Sequence, residues 1–456
     1  MTDSAALAAH AAIPIADPAQ PARLRRVLLV AYHFPPEPAA GSLRPSYLAR
    51  YLPQFGWEAT VLTKRGNGSD NSTSAAMLTA GDLFERYMRA PNKASAGELN
   101  ASEGTPTNSA HGARSAVRDF VKSVLFFPDR ASGWIPGAIA TGLDATRREH
   151  FDAVLSTGPP QSAHLVAYAV ARMRHLAWIA DFRDLWYANP YAATKGKTRT
   201  AIERWLEAVL RRRASAITAV HADLINQQER VYGRSFSEVI PAAYDPAEWE
   251  ALDDPEAIGF RLCYAGTLYE GRRRFDILLD AIATLRALSH PAGLAARIDY
   301  YGPESALAKT LAAERGLGDV VECHGNVAHG DVLPALRRAA VLLVLLDMRP
   351  ETVPQLGSKI FEYIGARRPV LAIGPAGSAV QSFIAQHHIG WFATDEIEAQ
   401  AALRAAYKAV TSGAARRMSA GIGKGIPTAR DVASRFAALL DVVAGSGRRP
   451  TLYRPS

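Results

Sequence analysis

The chain has 456 residues, roughly three times the length of a usual single domain, so its length favours two large domains over one core. Hydrophobic residues make up 48% of it and charged residues 21%, which excludes global disorder. The 52 Lys and Arg exceed the 44 Asp and Glu, and the net charge of +8 points to an anionic partner. Two cysteines exclude a disulfide framework and a multi-cysteine zinc site, and they fit a reducing cytoplasm.

Nothing in the sequence predicts a membrane span. The longest apolar run, residues 339–346, has the length of a strand, whereas a spanning helix needs about 20 apolar residues. The first 20 residues contain prolines and an aspartate and lack the basic start of a signal peptide. These patterns predict a soluble cytoplasmic protein, with peripheral contact to the inner face of the cytoplasmic membrane left open.

Short apolar runs flanked by turn residues recur along the chain, as is typical of buried parallel strands. In the first half they lie at residues 27–31, 59–63, 152–156, 176–180 and 216–220. Helix-length segments, such as residues 162–174 and 202–213, separate several of them. In the second half the runs lie at residues 262–265, 297–301, 320–323, 341–346 and 369–373. Alternation of strands and helices predicts an α/β protein with two Rossmann-like, doubly wound domains.

Composition suggests the boundaries. The predicted parts are a flexible lead (1–23), a first domain (24–245), a second domain (256–430), a C-terminal helix (431–445) and a tail (446–456). Residues 66–115 are rich in Gly, Ser, Thr, Asn and Ala and read as a flexible insertion with one helix around residues 82–89. Residues 244–259 have a linker composition. Because parallel sheets bind ligands at the carboxyl ends of their strands, we expect a ligand in the cleft between the domains.

One helix start has the chemistry of an anion site. Gly357 and Ser358 open a helix pattern that begins with Lys359, where free backbone N–H groups and a positive charge suit a diphosphate. Glu362 follows within one turn, where its carboxylate could accept hydrogen bonds from a ribose diol. The alternative is a capped surface helix in which Glu362 only favours the helix dipole.

Four segments then stand in order along the chain: VLLVAYHFPPEPAAGSLRPSYLARYLPQFGWEATVLT, DFRDLW, CYAGTLYEGRRRFDILLDAI and KIFEYIGARRPVLAI. Together they resemble the retaining glycosyltransferases of the GT-B fold, the group 1 or family 4-like enzymes that include many bacterial polysaccharide and lipopolysaccharide sugar transferases. The resemblance spans about residues 27–445. It implies two Rossmann-like domains facing a central cleft, with a nucleotide-diphospho-sugar bound against the second domain.

The resemblance also implies roles in the second domain. Glu362 matches the carboxylate that holds the donor ribose in this family. Gly266, Gly357, Ser358 and Lys359 match the surroundings of the donor phosphates and sugar.

Two positions depart from the family pattern. The usual pair of glutamates is incomplete, because Pro354 stands near the first position and Glu351 is out of register. Thr267 replaces an arginine that neutralises the departing diphosphate, so the resemblance assigns that catalytic role to Arg272 or Arg273. The alternative for the arginines is a solvated or membrane-facing patch.

In the first domain the resemblance suggests four residues. Gly41 lies where a glycine lets the backbone approach the donor, although it could be an ordinary turn glycine. His164 begins a helix after a strand and is a candidate for contact with the sugar; a structural or exposed histidine is the alternative. Asp181 and Arg183 follow another strand and are predicted to bind the acceptor, unless they form an internal pair that holds their loop.

The implied reaction moves a sugar with retention at the anomeric carbon. The departing diphosphate can take the acceptor proton, so the sequence need not supply a base. No cofactor is expected, and no metal is predicted, because Asp-x-Asp does not occur at a strand end and Asp253–Asp254–Pro255 reads as linker.

Basic clusters suggest where the positive charge acts. No helix-turn-helix, zinc pattern or aromatic single-strand platform is present, so we expect no nucleic acid partner and favour an anionic membrane surface. Residues 202–213 show apolar side chains at helical spacing beside arginines. They could rest on lipid or pack on the sheet; the sequence favours the sheet.

The sequence thus predicts a glycosyltransferase that moves a hexose-type sugar from a nucleotide donor to a cell-surface glycan or polyprenyl-linked acceptor. Two alternatives remain. One is a nucleotide-sugar epimerase on the same scaffold, and the other is a catalytically silent nucleotide-sugar-binding scaffold protein, which the two departures favour.

Overall fold

Two sheets of parallel strands form the framework of the protein. The computed structural model describes residues 24–37, 40–66, 74–84, 126–184, 186, 196–253, 255, 257, 259–353 and 356–445.

The first sheet orders its seven strands β3-β2-β1-β4-β5-β6-β7, and every neighbouring pair is parallel. The strands are β1 (Arg25–Val30), β2 (Trp57–Lys64), β3 (Ala76–Ala80), β4 (Ala153–Gly158), β5 (Ala177–Phe182), β6 (Ala216–Ala219) and β7 (Ser237–Val239). Around them lie α1 (Leu43–Tyr51), α2 (Ile135–Arg148), α3 (Ser162–Arg174), α4 (Lys197–Arg213) and α5 (Ala222–Tyr232). A short helix, α6 (Pro246–Glu250), leads to the second sheet.

The second sheet has the order β10-β9-β8-β11-β12-β13, again parallel throughout. Its strands are β8 (Arg261–Ala265), β9 (Arg297–Tyr301), β10 (Val321–Gly325), β11 (Val341–Leu345), β12 (Val370–Ile373) and β13 (Gly390–Ala393). Its helices are α7 (Phe275–Ala287), α8 (Pro291–Ala295), α9 (Ser305–Ala313), α10 (His329–Arg338), α11 (Lys359–Ala366), α12 (Ala379–His387), α13 (Glu396–Thr411) and α14 (Ala414–Gly421). The last helix, α15 (Ala429–Gly445), follows them.

Both sheets are buried on both faces, which is why their strands are continuous apolar runs. In β1, Val27 and Leu29 pack into one core cluster while Leu28 and Val30 pack into another. The second sheet has the same two layers. The α/β fold class and the two doubly wound domains predicted from sequence are confirmed.

Every strand predicted from an apolar run is present, and the strands that were missed all lie at sheet edges. These are β3, β7 and β13. Their residues are mostly half-buried or exposed, so they have no continuous apolar run to reveal them.

The strand β3 corrects part of the insertion predicted over residues 66–115. Residues 76–80 pair in parallel with β2 and extend the sheet, because backbone pairing needs no apolar composition. Residues 82–84 are not helical, and the rest of the predicted helix, like residues 67–73 and 85–125, lies outside the described residues.

The chain passes between the domains twice, once at the start of α6 and once before α15, and these two crossings lie side by side. The backbone N–H of Ala429 donates to the carbonyl of Tyr244, and Tyr244 bridges Thr428 in parallel. The second crossing carries α15 back to the first sheet, where Phe436 and Leu440 join the core cluster of β1. The C-terminal helix therefore completes the first domain.

The predicted linker is held at both ends. Asp245 caps α6 and accepts hydrogen bonds from Arg50 (2.6 Å) and Tyr51 (2.7 Å) of α1. Trp249 is buried against the second domain, where a Cβ on Gly365 would lie 2.1 Å from its Nε1. The linker is thus a short helix fastened to both domains.

Among the described helices, none has the length and apolarity needed to cross a membrane.

Phe436→Ala tests the role of α15 in the first domain. Phe436 is fully buried, so we expect the free energy of unfolding to fall by about 3–5 kcal/mol, measured by denaturant titration. The matched control on the same helix is Val442→Ala, whose side chain is 36% exposed and whose loss should change stability little. Equal effects of the two variants would contradict this packing.

Candidate functional site

A cavity of about 140 Å³ lies where the two domains face each other. Ser42 and Leu43 line it from the first domain, directly after Gly41. The second domain contributes the loops that follow β8, β9 and β10, together with Glu362 of α11. Because β8 and β11 are adjacent while the chain order reverses there, the cavity lies at the topological switch point of the second sheet.

Gly266 is the residue whose lack of a side chain shapes the cavity. Its φ is +154°, and its N–H donates to the carbonyl of Tyr301 at 2.7 Å. A Cβ at this position would lie 1.4 Å from Nζ of Lys359. The Lys359 ammonium therefore occupies the space that any other residue would fill, and it lies 4.9 Å from the ring centroid of Tyr264.

Positive charge is crowded at this point. Burial lowers the pKa of Lys359 well below its ordinary value, and the charge of Arg273 lowers it further, while Glu362 raises it. Arg273 is held in place by a hydrogen bond from Nη1 to the carbonyl of Leu345 at 3.2 Å. Its neighbour Arg272 is exposed. Of the two arginines predicted to neutralise a diphosphate, the structure thus brings Arg273 close to Lys359.

The start of α11 is open to solvent. Gly357 and Ser358 are exposed, and a Cβ on Gly357 would meet nothing within 4 Å. The Ser358 side chain makes no capping hydrogen bond. Both residues stand at the helix end where backbone N–H groups are available, but neither lines the cavity. Their predicted contact with the donor stays a prediction.

Glu362 lines the cavity within a network that the sequence did not reveal. Burial raises the pKa of Glu362, and the charge of Glu248 raises it too, while His329 and Lys359 oppose this. Tyr47 of α1 donates a hydrogen bond to Glu248 at 3.0 Å. His329 Nε2 lies 3.9 Å from the same oxygen, which is ion-pair distance rather than a hydrogen bond.

This network joins both domains through α6. Burial lowers the pKa of His329, but its neighbours Glu248 and Glu362 prevail and raise it above the ordinary value. No local motif marks these residues, because α1, α6, α10 and α11 each contribute one of them. They come together only in the folded structure.

Asp181 holds the first domain together and does not face the cleft. It is fully buried, and Arg44 donates to both of its oxygens, from Nε at 2.8 Å and from Nη2 at 3.0 Å. The hydroxyls of Thr157 and Thr218 donate to the same carboxylate at 2.8 and 2.7 Å. Burial favours its neutral form, but these donors outweigh burial and lower its pKa. The prediction that Asp181 binds the acceptor is corrected, since no part of it is exposed.

Arg183 fastens its own loop to two others at the strand ends. Its guanidinium donates to the carbonyls of Gly41 (3.1 Å), Gly158 (3.2 Å) and Pro159 (2.6 Å). A Cβ on Gly41 would lie 3.2 Å from this guanidinium, so Gly41 permits the close approach. The sequence left open an internal pair between Asp181 and Arg183. In the structure Asp181 pairs with Arg44 instead, and Arg183 donates to backbone carbonyls.

His164 is a core residue. It is fully buried, its Nδ1 lies 2.8 Å from Ser156 Oγ, and its ring packs on Phe182 with centroids 4.4 Å apart. Burial lowers its pKa to about 3, so the ring is neutral near pH 7. Contact with a sugar does not fit this position, and the structural alternative is the one observed.

One group of side chains in the described part of the chain has the spacing of a metal site. Asp299, Glu322 and His324 offer ligand atoms within 4.8 Å of one another. Arg261 Nη1 lies 2.6 Å from Asp299 and 3.5 Å from Glu322, so a guanidinium already occupies the position of a cation beside both carboxylates. The cluster is therefore accounted for as an ion-pair network between neighbouring strands.

Comparisons with known proteins agree with this geometry. Residues 259–409, about a third of the chain, match the family described as glycosyl transferases group 1. No curated protein sequence matches the chain. A match to this family, in a chain with two Rossmann-like domains, supports glycosyl transfer as the general activity.

Solved structures show the fold. Sucrose-phosphate synthase from Thermosynechococcus elongatus has a TM-score of 0.63 at 15% identity, covering 93% of this chain and 100% of that one. HepE from Anabaena in complex with UDP and glucose has a TM-score of 0.53 at 14% identity, with 92% and 98% covered. The lipopolysaccharide outer core galactosyltransferase WaaB has a TM-score of 0.52 at 10% identity, with 92% and 100% covered. The chain adopts the GT-B fold.

Asp181→Ala tests the buried hub. The variant leaves Arg44 buried without its counter-charge, so we expect a loss of about 3–5 kcal/mol in unfolding free energy, measured by denaturant titration. The control is Asp319→Ala, which breaks an exposed pair with Arg286 (2.8 Å) and should change stability little.

The pH dependence should follow. Because the folded-state pKa of Asp181 is lowered, its contribution is present above the ordinary carboxyl pKa and is lost as pH falls through the lowered value. The variant should therefore lose less stability than the wild type on acidification. A variant as stable as the wild type at neutral pH would contradict the assignment.

Proposed function

We propose that this chain transfers a sugar from a nucleoside diphosphate donor to a cell-surface glycan or lipid-linked acceptor, with retention of the anomeric configuration. The observation that carries the proposal is the meeting of Gly266 and Glu362 in one cavity that both domains line. The donor lies against the second domain in this proposal, and Ser42 and Leu43 close over it from the first.

The charges around the cavity support a diphosphate donor. Burial and the nearby charge of Arg273 both lower the pKa of Lys359, so the Lys359 cation is less stable here than it would be in water. A diphosphate placed between Gly266 and the open start of α11 relieves that repulsion. Glu362, in the same cavity, is placed to accept hydrogen bonds from the ribose hydroxyls.

The proposed chemistry follows from these positions. The bond between the anomeric carbon and the phosphate oxygen breaks, and its electron pair stays on the diphosphate. Lys359 and Arg273 stabilise that developing charge, which is the main demand of the step. The acceptor hydroxyl attacks from the face that the diphosphate leaves, and its proton passes to a diphosphate oxygen. We propose that no metal is needed, because the two cations and the N-terminus of α11 supply the positive charge.

The acceptor and the first donor to test follow from analogy of fold. WaaB is a lipopolysaccharide outer core galactosyltransferase, which supports a hexosyl transfer to a cell-surface glycan here by analogy of fold. A lipid-linked acceptor would place the enzyme at an anionic membrane surface on the cytoplasmic side. Because HepE binds UDP and glucose, UDP-glucose is the first donor to test.

Donor turnover tests the proposal against its alternatives. The purified protein is incubated with UDP-glucose and other nucleotide sugars, and released nucleoside diphosphate and rearranged sugar are measured. Release of nucleoside diphosphate supports a transferase. Conversion of the donor to its sugar epimer would instead show an epimerase, and binding without turnover a silent scaffold; either outcome contradicts the proposal.

Glu362→Gln should weaken donor binding. The ribose hydroxyls lose a charged acceptor, and hydrogen bonds to charged groups contribute about 1.5–3 kcal/mol, so we expect the Kd for UDP to rise about tenfold to a hundredfold. Isothermal titration calorimetry measures it. The control is Glu314→Gln, an exposed glutamate on the second domain. If both variants bind UDP like the wild type, Glu362 has no role at the ribose.

Gly266→Ala should displace Lys359 without unfolding the domain. The new Cβ would clash with Nζ at the flexible end of the side chain, and the positive φ adds strain. We expect UDP affinity to fall at least about tenfold, which corresponds to 1.4 kcal/mol, while the melting temperature changes by only a few degrees. Gly316→Ala is the matched control, because its φ is also positive (+66°) and a Cβ there meets nothing within 4 Å. Wild-type affinity in Gly266→Ala would refute the contact between Lys359 and the diphosphate.

A further inference from the structure

Helix α4 buries both of its glutamates and exposes two of its large apolar side chains. Glu203 and Glu207 are buried, at 0% and 1% exposure, whereas Trp205 is 62% exposed and Ile202 46% exposed. The apolar spacing in this segment favoured packing on the sheet, and for these two side chains that expectation is wrong. Glu203 instead pairs with Arg199 at 2.9 Å, and Glu207 accepts a hydrogen bond from Tyr232 at 2.9 Å.

Because both glutamate side chains are buried, the outer face of α4 is positively charged. The helix has no other acidic residue, so none is exposed on it. Four basic residues are exposed along its length: Lys197, Arg204, Arg212 and Arg213. Beside this face, a groove of about 620 Å³ between α4 and α5 is lined by Trp205, Tyr232 and the basic residues Lys197, Arg204 and Arg212.

The position of α4 relates this face to the cleft. The helix follows the carboxyl end of β5 and leads into the start of β6, so it runs from the cleft edge of the sheet to the opposite edge. Its 17 residues span about 25 Å at 1.5 Å per residue. A flat surface lying along α4 therefore reaches the cleft edge of the first domain.

We propose that the outer face of α4 docks on an anionic lipid bilayer. Tryptophan is favoured at the boundary between headgroups and acyl chains, where its ring is apolar and its N–H is polar. Ile202, one turn away, enters the same layer. Each basic side chain near an anionic leaflet contributes favourably, and no acidic side chain of α4 opposes the attraction. The inference rests on the proposed function only in that a lipid-linked acceptor would lie in the same bilayer.

Sedimentation with lipid vesicles tests the surface without any substrate. The full chain is mixed with vesicles of phosphatidylglycerol and phosphatidylcholine in equal parts, or of phosphatidylcholine alone. We expect binding to the anionic vesicles that is at least about tenfold tighter than to the neutral ones and that weakens as salt is added.

Two double variants separate the apolar and the charged contributions. Ile202→Ala/Trp205→Ala and Lys197→Glu/Arg213→Glu should each weaken binding at least about tenfold. Matched controls lie on the second domain. Leu288→Ala/Ile397→Ala removes apolar side chains that are 64% and 77% exposed, and Arg404→Glu/Lys408→Glu reverses two exposed charges on α13. Both controls should bind within about twofold of the wild type.

Fluorescence reports the geometry directly. Trp57, Trp134, Trp178, Trp186 and Trp249 are at most 4% exposed, and Trp391 is half-buried, so Trp205 is the tryptophan most open to a quencher. Brominated lipid in the anionic vesicles should quench the wild type, and this quenching should be absent in Trp205→Phe. A wild type that stays in the supernatant, α4 variants that sediment like the wild type, or quenching that persists in Trp205→Phe would overturn the proposal.

The test is separable from the proposed activity. Turnover of a nucleotide sugar is measured without vesicles, where the α4 variants should match the wild type. Vesicle binding that fails while turnover persists overturns only the docking surface, and turnover that fails while vesicles bind overturns only the proposed function.

Discussion

The first domain depends on one buried ion pair, between Arg44 and Asp181. Burying two charges costs more than their attraction returns unless further hydrogen bonds satisfy them. Here the hydroxyls of Thr157 and Thr218 donate two further hydrogen bonds to the carboxylate, and the guanidinium donates two to the backbone carbonyls of Ile240 and Pro241, which follow β7. The guanidinium also lies 5.0 Å from the ring centroid of Phe436. One pair therefore ties α1, the strands β4, β5 and β6 and the returning helix α15 into one unit, and it fixes the start of α1, where Ser42 and Leu43 line the cavity.

The cleft depends on this unit because both domains share its walls. The linker helix α6 is fixed to α1 by Asp245 and inserted into the second domain by Trp249. Between these anchors, Glu248 meets Tyr47 and His329, so the residues around Glu362 come from both domains. A change in the angle between the domains would alter this network first. The site is thus coupled to the interdomain arrangement and not only to the local start of α11.

Burial decided how much of the structure could be predicted from the sequence. Interior strands are apolar on both faces, so their runs in the sequence located them, whereas edge strands such as β3 and β13 carry too few buried residues to be seen. At the site, Gly266 and Glu362 were predicted from their motifs and do meet in one cavity. Asp181 and His164 were expected at the cleft because they follow strands; both side chains point into the core, which spacing cannot reveal. In α4, helical periodicity placed Leu206 and Leu210 against the core correctly, but it did not reveal that Ile202 and Trp205 are exposed and that both glutamates are buried.

By itself the sequence determined the two doubly wound domains, their parallel sheets and the segment that carries Lys359 and Glu362, because these depend on local apolar runs and on residues adjacent in the chain. Only the tertiary structure decided which charges are paired. It buried Asp181 with Arg44 and turned Glu203 and Glu207 inward on α4, leaving that helix with exposed basic residues and no exposed acidic one. Arg44 and Asp181 lie 137 residues apart in the chain, and no local pattern records that they will meet or which side chain will lose its contact with water.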